Sequence, residues 1–166
     1  MINTAFVSIF ALSNDTNTKN ESGVIVVDVI KNDHDEEYIK NIVLDDGSKV
    51  GDHDYVINYS TKATRGTSLP SFYYAAYITR DGVVSLSLDP VFNVRQNKTV
   101  ANDAWNNEIL NPANGIVNDY RWKNAKVMKW QYDCHGAWAR DKEYWNLEPH
   151  RVANSYLYVE LKRCNP

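Results

Sequence analysis

The sequence predicts a β-rich α+β fold: an antiparallel meander or small sandwich with one main amphipathic helix packed on it. Three observations predict it. Short runs rich in β-branched and aromatic residues recur between turn signals. Only Thr99–Leu110 places apolar residues on one stripe at helical spacing. Apolar residues make up 43% and charged residues 23%, the balance of an ordinary folded domain.

The elements follow in order. Thr4–Leu12 reads as a first strand, and the polar tract SNDTNTKNESG after it as a loop or linker. Val24–Ile30 is a strong strand. Tyr38–Leu44 alternates and reads as another, and Tyr55–Tyr59 as a third, so that these runs make a hairpin meander. Phe72–Thr79 is the next strand. Arg80-Asp81-Gly82 turns it, because Asp-Gly readily supplies the positive φ angles of a tight hairpin. Val84, Leu86 and Leu88 then share a face of a strand that Pro90 ends.

In the helix, Ala101, Ala104, Trp105 and Ile109 form the apolar stripe, with Trp105 the main buried anchor. Asn97 or Thr99 caps it, and Asn111-Pro112 stops it. Tyr120–Trp130 suits either a short helix or an edge strand. The tail YLYVELKRC turns Leu157, Val159 and Leu161 one way, as in a half-buried strand.

A chain of 166 residues is long enough for one domain with a sizeable core. Two regions are expected to form one compact unit: an acidic β region over 1–68 and a Trp-rich C-terminal domain over 69–166. Residues 1–60 carry a balance of −7 and residues 61–166 one of +4. That asymmetry either packs the two segments together or orients the protein toward a charged surface. No apolar run reaches the roughly 18–20 residues of a membrane span. The apolar start lacks a basic flank and an A-x-A-like cleavage site, so it reads as mature protein, with Met1 standing where a leader was removed.

Cys134 and Cys164 are the only cysteines. An even pair with one member near the end favours a bridge in an exported protein; two separate reduced thiols are the alternative. His34, His53, His135 and His150 show no metal-ligand spacing, and neither a metal nor a cofactor is expected. DDGSKVGDHD departs from the calcium-loop pattern and reads as a solvated turn. No nucleophile elbow occurs, and Cys134 could act with His150 only as a free thiol.

Two clusters remain. His135, Glu143, Glu148 and His150 crowd one region and could supply acid–base catalysis if they converge in a partly dry cleft. The plainer reading is an ion-pair network over packed Trp138 and Trp145. Arg121, Trp122, Lys123, Lys126, Lys129 and Trp130 interleave bases with rings, as an anionic-polymer surface does. The plainer reading there is a solvated face with two Trp turned inward. Overall acidity argues against a dedicated nucleic-acid binder.

The C-terminal signals form an ordered set: R-D-G-V-V-S-L-S-L-x-P (Arg80–Pro90, with Asp89 at the open position), Arg95, Ala104-Trp105, QYDCH (Gln131–His135), W-N-L-E-P-x-R (Trp145–Arg151) and a terminal CNP. Over about residues 72–166 this resembles a family of secreted bacterial domains, frequent in Gram-positive bacteria and catalogued as domain of unknown function twenty-five ninety-nine. WNLEP and CNP are its most specific pieces. The resemblance implies export, a bridge between Cys134 and Cys164, and a variable N-terminal region. It implies no catalytic residues. The chain departs from it at His150-Arg151-Val152, where an aromatic and Arg-Pro are expected.

Together these readings predict a secreted, extracellular bacterial protein acting on other cells, a bacteriocin-like antibacterial toxin that binds the envelope. The expected partners are the cell envelope or an anionic wall polymer, and an immunity protein. Two alternatives stand beside it: a hydrolase of wall glycan or phosphodiester, and a non-toxic carbohydrate- or wall-binding module.

Overall fold

The structure, a computed structural model, describes residues 23–59 and 69–165. The strand expected over Thr4–Leu12 lies outside the described residues. The rest forms a five-stranded open sheet with helices on both faces, the α+β class that the sequence predicts.

The strands are β1 (Ile25–Asn32), β2 (Tyr55–Tyr59), β3 (Phe72–Arg80), β4 (Val83–Pro90) and β5 (Trp145–Leu147), in spatial order β2-β1-β3-β4-β5. The β3–β4 hairpin turns where expected: Asp81 and Gly82 both take positive φ, 49° and 78°, as a two-residue turn of this hand requires. Gly82 meets no steric cost there. All pairings are antiparallel except β1–β2, which run parallel.

That parallel pair corrects the expected hairpin meander. The stretch Tyr38–Leu44 is not a strand. Glu36–Lys40 is a helical turn, α1, which Asp35 caps by accepting from the Tyr38 N–H at 3.0 Å. Glu36 and Glu37 in its first turn and Lys40 in its last complement the helix dipole. Ile39 and Ile42, three apart, are the buried residues, so the period that matters is helical. Parallel strands need a crossover, and residues 33–54 supply it.

One sheet face carries Ile25, Val27, Val29, Tyr74 and Ala76 under Ile39, Ile42 and Val50. The other carries Phe72, Tyr77, Leu86, Leu88, Trp145 and Leu147 beneath the main helical layer. That layer begins with α2 (Phe92–Gln96) and α3 (Lys98–Ala104), continued by a π turn over Trp105–Ile109. The expected helix is therefore present. Asn97 is its cap, accepting from the Thr99 and Val100 N–H groups, and Trp105 is buried as anticipated.

Among the described residues the longest helix is α4 (Ala125–Trp138), which resolves the ambiguous Tyr120–Trp130 stretch in favour of helix in its second half. The expected terminal strand is instead α5 (Tyr156–Leu161). Ser155 caps it, and Val159 is buried while Leu157 and Leu161 are exposed. Alternation in a six-residue run was a weak guide, because a cap decides the local conformation. Among the described residues, no helix is long and apolar enough to cross a membrane.

Candidate functional site

A bridge joins Cys134 on α4 to Cys164 beyond α5. Both sulfur-bearing residues are buried with Val159, and Trp130, Ala153 and Tyr156 pack around them. The bridge thus holds α5 against α4. Between α4, α5 and the α2–α3 segment lies a cavity of about 550 Å³. Its walls include Trp130, Tyr132, Tyr156, Lys98, Arg140 and Asp133.

The chemistry of this cleft is aromatic and basic. Tyr132 is buried and donates its hydroxyl to the Ala101 carbonyl at 3.1 Å, so it is a wall. Asp133 is paired with Lys129, whose ammonium also donates to Asn102 Oδ1 at 3.0 Å. Lys98 and Arg140 are exposed at the rim. With Asp133 already compensated, the rim carries positive charge beside the Trp130 and Tyr156 rings.

Arg95 shapes this region from below. Its guanidinium donates to the carbonyls of Pro90 at 2.6 Å, Arg140 at 2.9 Å, Glu143 at 2.6 Å and Lys142, and to the Asp89 carboxylate at 2.7 Å. A planar fork with five donors is suited to such a role. It fastens the loop between α4 and β5 to the end of β4. Asp89 also accepts from the Tyr38 hydroxyl at 2.5 Å, and His34 stacks on the Tyr38 ring at 3.8 Å. Burial and the Asp89 carboxylate push the Tyr38 hydroxyl well above its ordinary value, which keeps it a donor.

A second cavity of about 350 Å³ sits near β5, lined by Asp45, His135, Lys142, Glu143, Asn146 and Asn165 among others. His135 is buried, and its ring stacks near-parallel to Trp145 at 6.1 Å. Its Nε2 faces the Asn146 carbonyl at 3.2 Å, while Nδ1 has no hydrogen-bond partner. A carbonyl can only accept, so Nε2 carries the proton and donates. Burial lowers its pKa to about 4, so the imidazole is neutral near neutral pH.

The four expected acid–base residues do not meet. His135 and Glu143 line the second cavity. The buried Glu148 carboxylate is paired with the Arg151 guanidinium. His150 is exposed and lines neither cavity. The basic-aromatic set also divides. Arg121 binds Asp28 and Asp119 and lies over the Tyr77 ring at 4.4 Å. Trp122 packs on the core beside Trp105, and Lys129 is tied to Asp133. Lys123 and Lys126 are exposed, with Lys126 over the Trp130 ring at 4.8 Å. Only Trp130 of the set reaches the larger cleft. Trp145 is packed as expected, but Trp138 is 74% exposed, which corrects its expected place in the core.

Lys98, Arg140 and Tyr156 in the cleft, and Tyr38 behind it, fall in no piece of the ordered set, whereas Asp89 lies within its Arg80–Pro90 piece. The sequence signals that reach this region include Arg95 and the piece around Asp89 in the ordered set, and Trp130 of the basic-aromatic set.

A family model described as a protein of unknown function (DUF2599) matches residues 74–166. No curated protein and no solved structure matches the chain.

Proposed function

The chain belongs to the DUF2599 family, and on that premise we propose that it is a secreted bacterial protein that acts on other cells by binding an anionic polymer of their envelope, as a bacteriocin-like antibacterial toxin. The observation that carries this reading is the cleft of about 550 Å³ with Trp130 and Tyr156 on its walls and Lys98 and Arg140 at its rim. Its size falls within the range of small-molecule pockets, roughly 300–1,000 Å³. Aromatic faces stack on sugar rings or bases, and Lys and Arg meet phosphate as a point charge and as a fork. A phosphate-bearing glycan such as a teichoic acid offers both groups in alternation. The buried Cys134–Cys164 bridge supports export, because such bonds persist in oxidising compartments.

Binding of purified protein to soluble teichoic acid, followed by calorimetry, tests the reading together with growth inhibition of Gram-positive cells. Wild-type protein should bind in a salt-sensitive way. Lys98→Glu with Arg140→Glu should weaken binding by at least about tenfold without lowering the melting temperature, since both side chains are exposed. Binding unaffected by that double reversal would remove the cleft from the mechanism. Binding without growth inhibition would reassign the protein as a non-toxic wall-binding module.

A further inference from the structure

The face of the molecule next to the cleft has a separate composition. Trp138 ends α4 with its ring 74% exposed. It is not loose, because its indole N–H donates to Glu160 Oε1 on α5 at 2.9 Å. Leu157 stands three before Glu160 and four before Leu161, so the two leucines share one stripe of the helix, with Glu160 on the Leu157 flank of it. The leucines are 62% and 74% exposed. The bond to Glu160 sets the Trp138 ring beside α5, so the ring and the leucine stripe are taken together as one exposed apolar platform across the two helices that the Cys134–Cys164 bridge joins.

Exposed bases border this platform. Arg140 follows Trp138 by two residues, and Lys162 and Arg163 follow Leu161 directly. Asp141 and Glu160 are the nearby acids, outnumbered three to two by these bases; the Glu160 carboxylate accepts from the indole N–H and keeps its charge. An apolar centre with an amphipathic ring and a basic border matches the layering of an anionic bilayer, apolar below and negatively charged at the headgroups. We propose that this platform docks on an anionic lipid surface, with Trp138, Leu157 and Leu161 entering the headgroup boundary and Arg140, Lys162 and Arg163 meeting the phosphates. The inference rests on the envelope-binding reading and names the lipid surface as part of the target. Ala137, Arg140 and Tyr156 line the cleft and are sequence neighbours of the platform, so docking would present the cleft at headgroup level.

The test uses the whole chain with vesicles of phosphatidylglycerol and phosphatidylcholine, against vesicles of phosphatidylcholine alone. Sedimentation should show binding to the anionic vesicles that weakens with salt. Brominated lipid should quench the tryptophan emission, and Trp138→Phe should abolish that quenching. Leu157→Ser with Leu161→Ser, both solvated positions, should reduce vesicle affinity by at least about tenfold. No vesicle binding, or binding and quenching that survive these variants, would overturn the inference. So would loss of action on cells in the double serine variant when vesicle binding is absent from wild type, which would mark a protein-docking face. Lipid-free teichoic acid separates the two readings. Polymer binding without vesicle binding retains the cleft and rejects the platform; vesicle binding without polymer binding does the reverse.

Discussion

The side-chain amide of Gln131 pairs with the backbone of Glu148 in both directions: its Oε1 accepts from the Glu148 N–H at 2.8 Å, and its Nε2 donates to the Glu148 carbonyl at 3.2 Å. Gln131 has no solvent exposure. It therefore closes, from helix α4, the Glu148 N–H just beyond β5, which would otherwise be buried and unpaired, and gives the Glu148 carbonyl a second donor beside the Arg151 N–H at 3.1 Å. QYDCH and WNLEP, two pieces of the family pattern, bind each other through this contact.

Gln131→Leu should therefore cost about 1–3 kcal/mol, because it strands the buried Glu148 N–H, while the carbonyl keeps the Arg151 N–H. Gln131→Glu keeps the acceptor and loses the donor. Urea unfolding measures both, and a leucine variant within about 0.5 kcal/mol of wild type would show that water replaces the amide at no cost.

His135 gives a pH dependence with a definite sign. Its folded pKa, lowered to about 4 by burial, lies below the ordinary value of 6.5. The unfolded chain takes up the proton first as pH falls, so protonation favours unfolding. Stability should fall between pH 6.5 and about 4 and level off below, by roughly 3 kcal/mol at most from this group. His135→Phe keeps a ring against Trp145 and removes the titration, so its stability should change less across that window. Identical slopes for the two proteins would assign the acid sensitivity to other groups.

Arg95→Lys should loosen the loop between α4 and β5. An ammonium cannot reach four carbonyls and the Asp89 carboxylate together, as the guanidinium does. The expected loss is on the order of 2–4 kcal/mol, with faster amide exchange at residues 140–143. Unchanged exchange there would mean that packing alone holds the loop.

Removing the bridge with Cys134→Ser and Cys164→Ser should lower stability by about 3–4 kcal/mol in the chain-entropy model, given a sequence separation of 30. Tyr156 borders both the bridge and the cleft, so ligand binding should weaken under reductant as well. Binding that survives reduction would show that Val159 packing suffices to hold α5.

The sequence by itself determined the features that depend on neighbouring residues. Asp81-Gly82 turned the β3–β4 hairpin because the backbone angles are local. The stripe through Trp105 made its helix, and the two cysteines could pair only with each other. Local reading failed at Tyr38–Leu44 and at Tyr156–Leu161, where short apolar runs satisfy both periods and Asp35 and Ser155 decided for helix as caps.

The tertiary structure alone decided which side chains are free to act. Arg121 and Lys129 look available in sequence, but Asp28, Asp119 and Asp133 consume them. Glu148 and His150 stand close in sequence to His135 and Glu143, yet neither lines the cavity that those two share. The cleft draws Lys98 from α3, Trp130 from α4, Arg140 from the loop beyond it and Tyr156 from α5. Such residues have no common spacing, because only the packing of α5 on α4 through Cys134, Val159 and Cys164 brings them together.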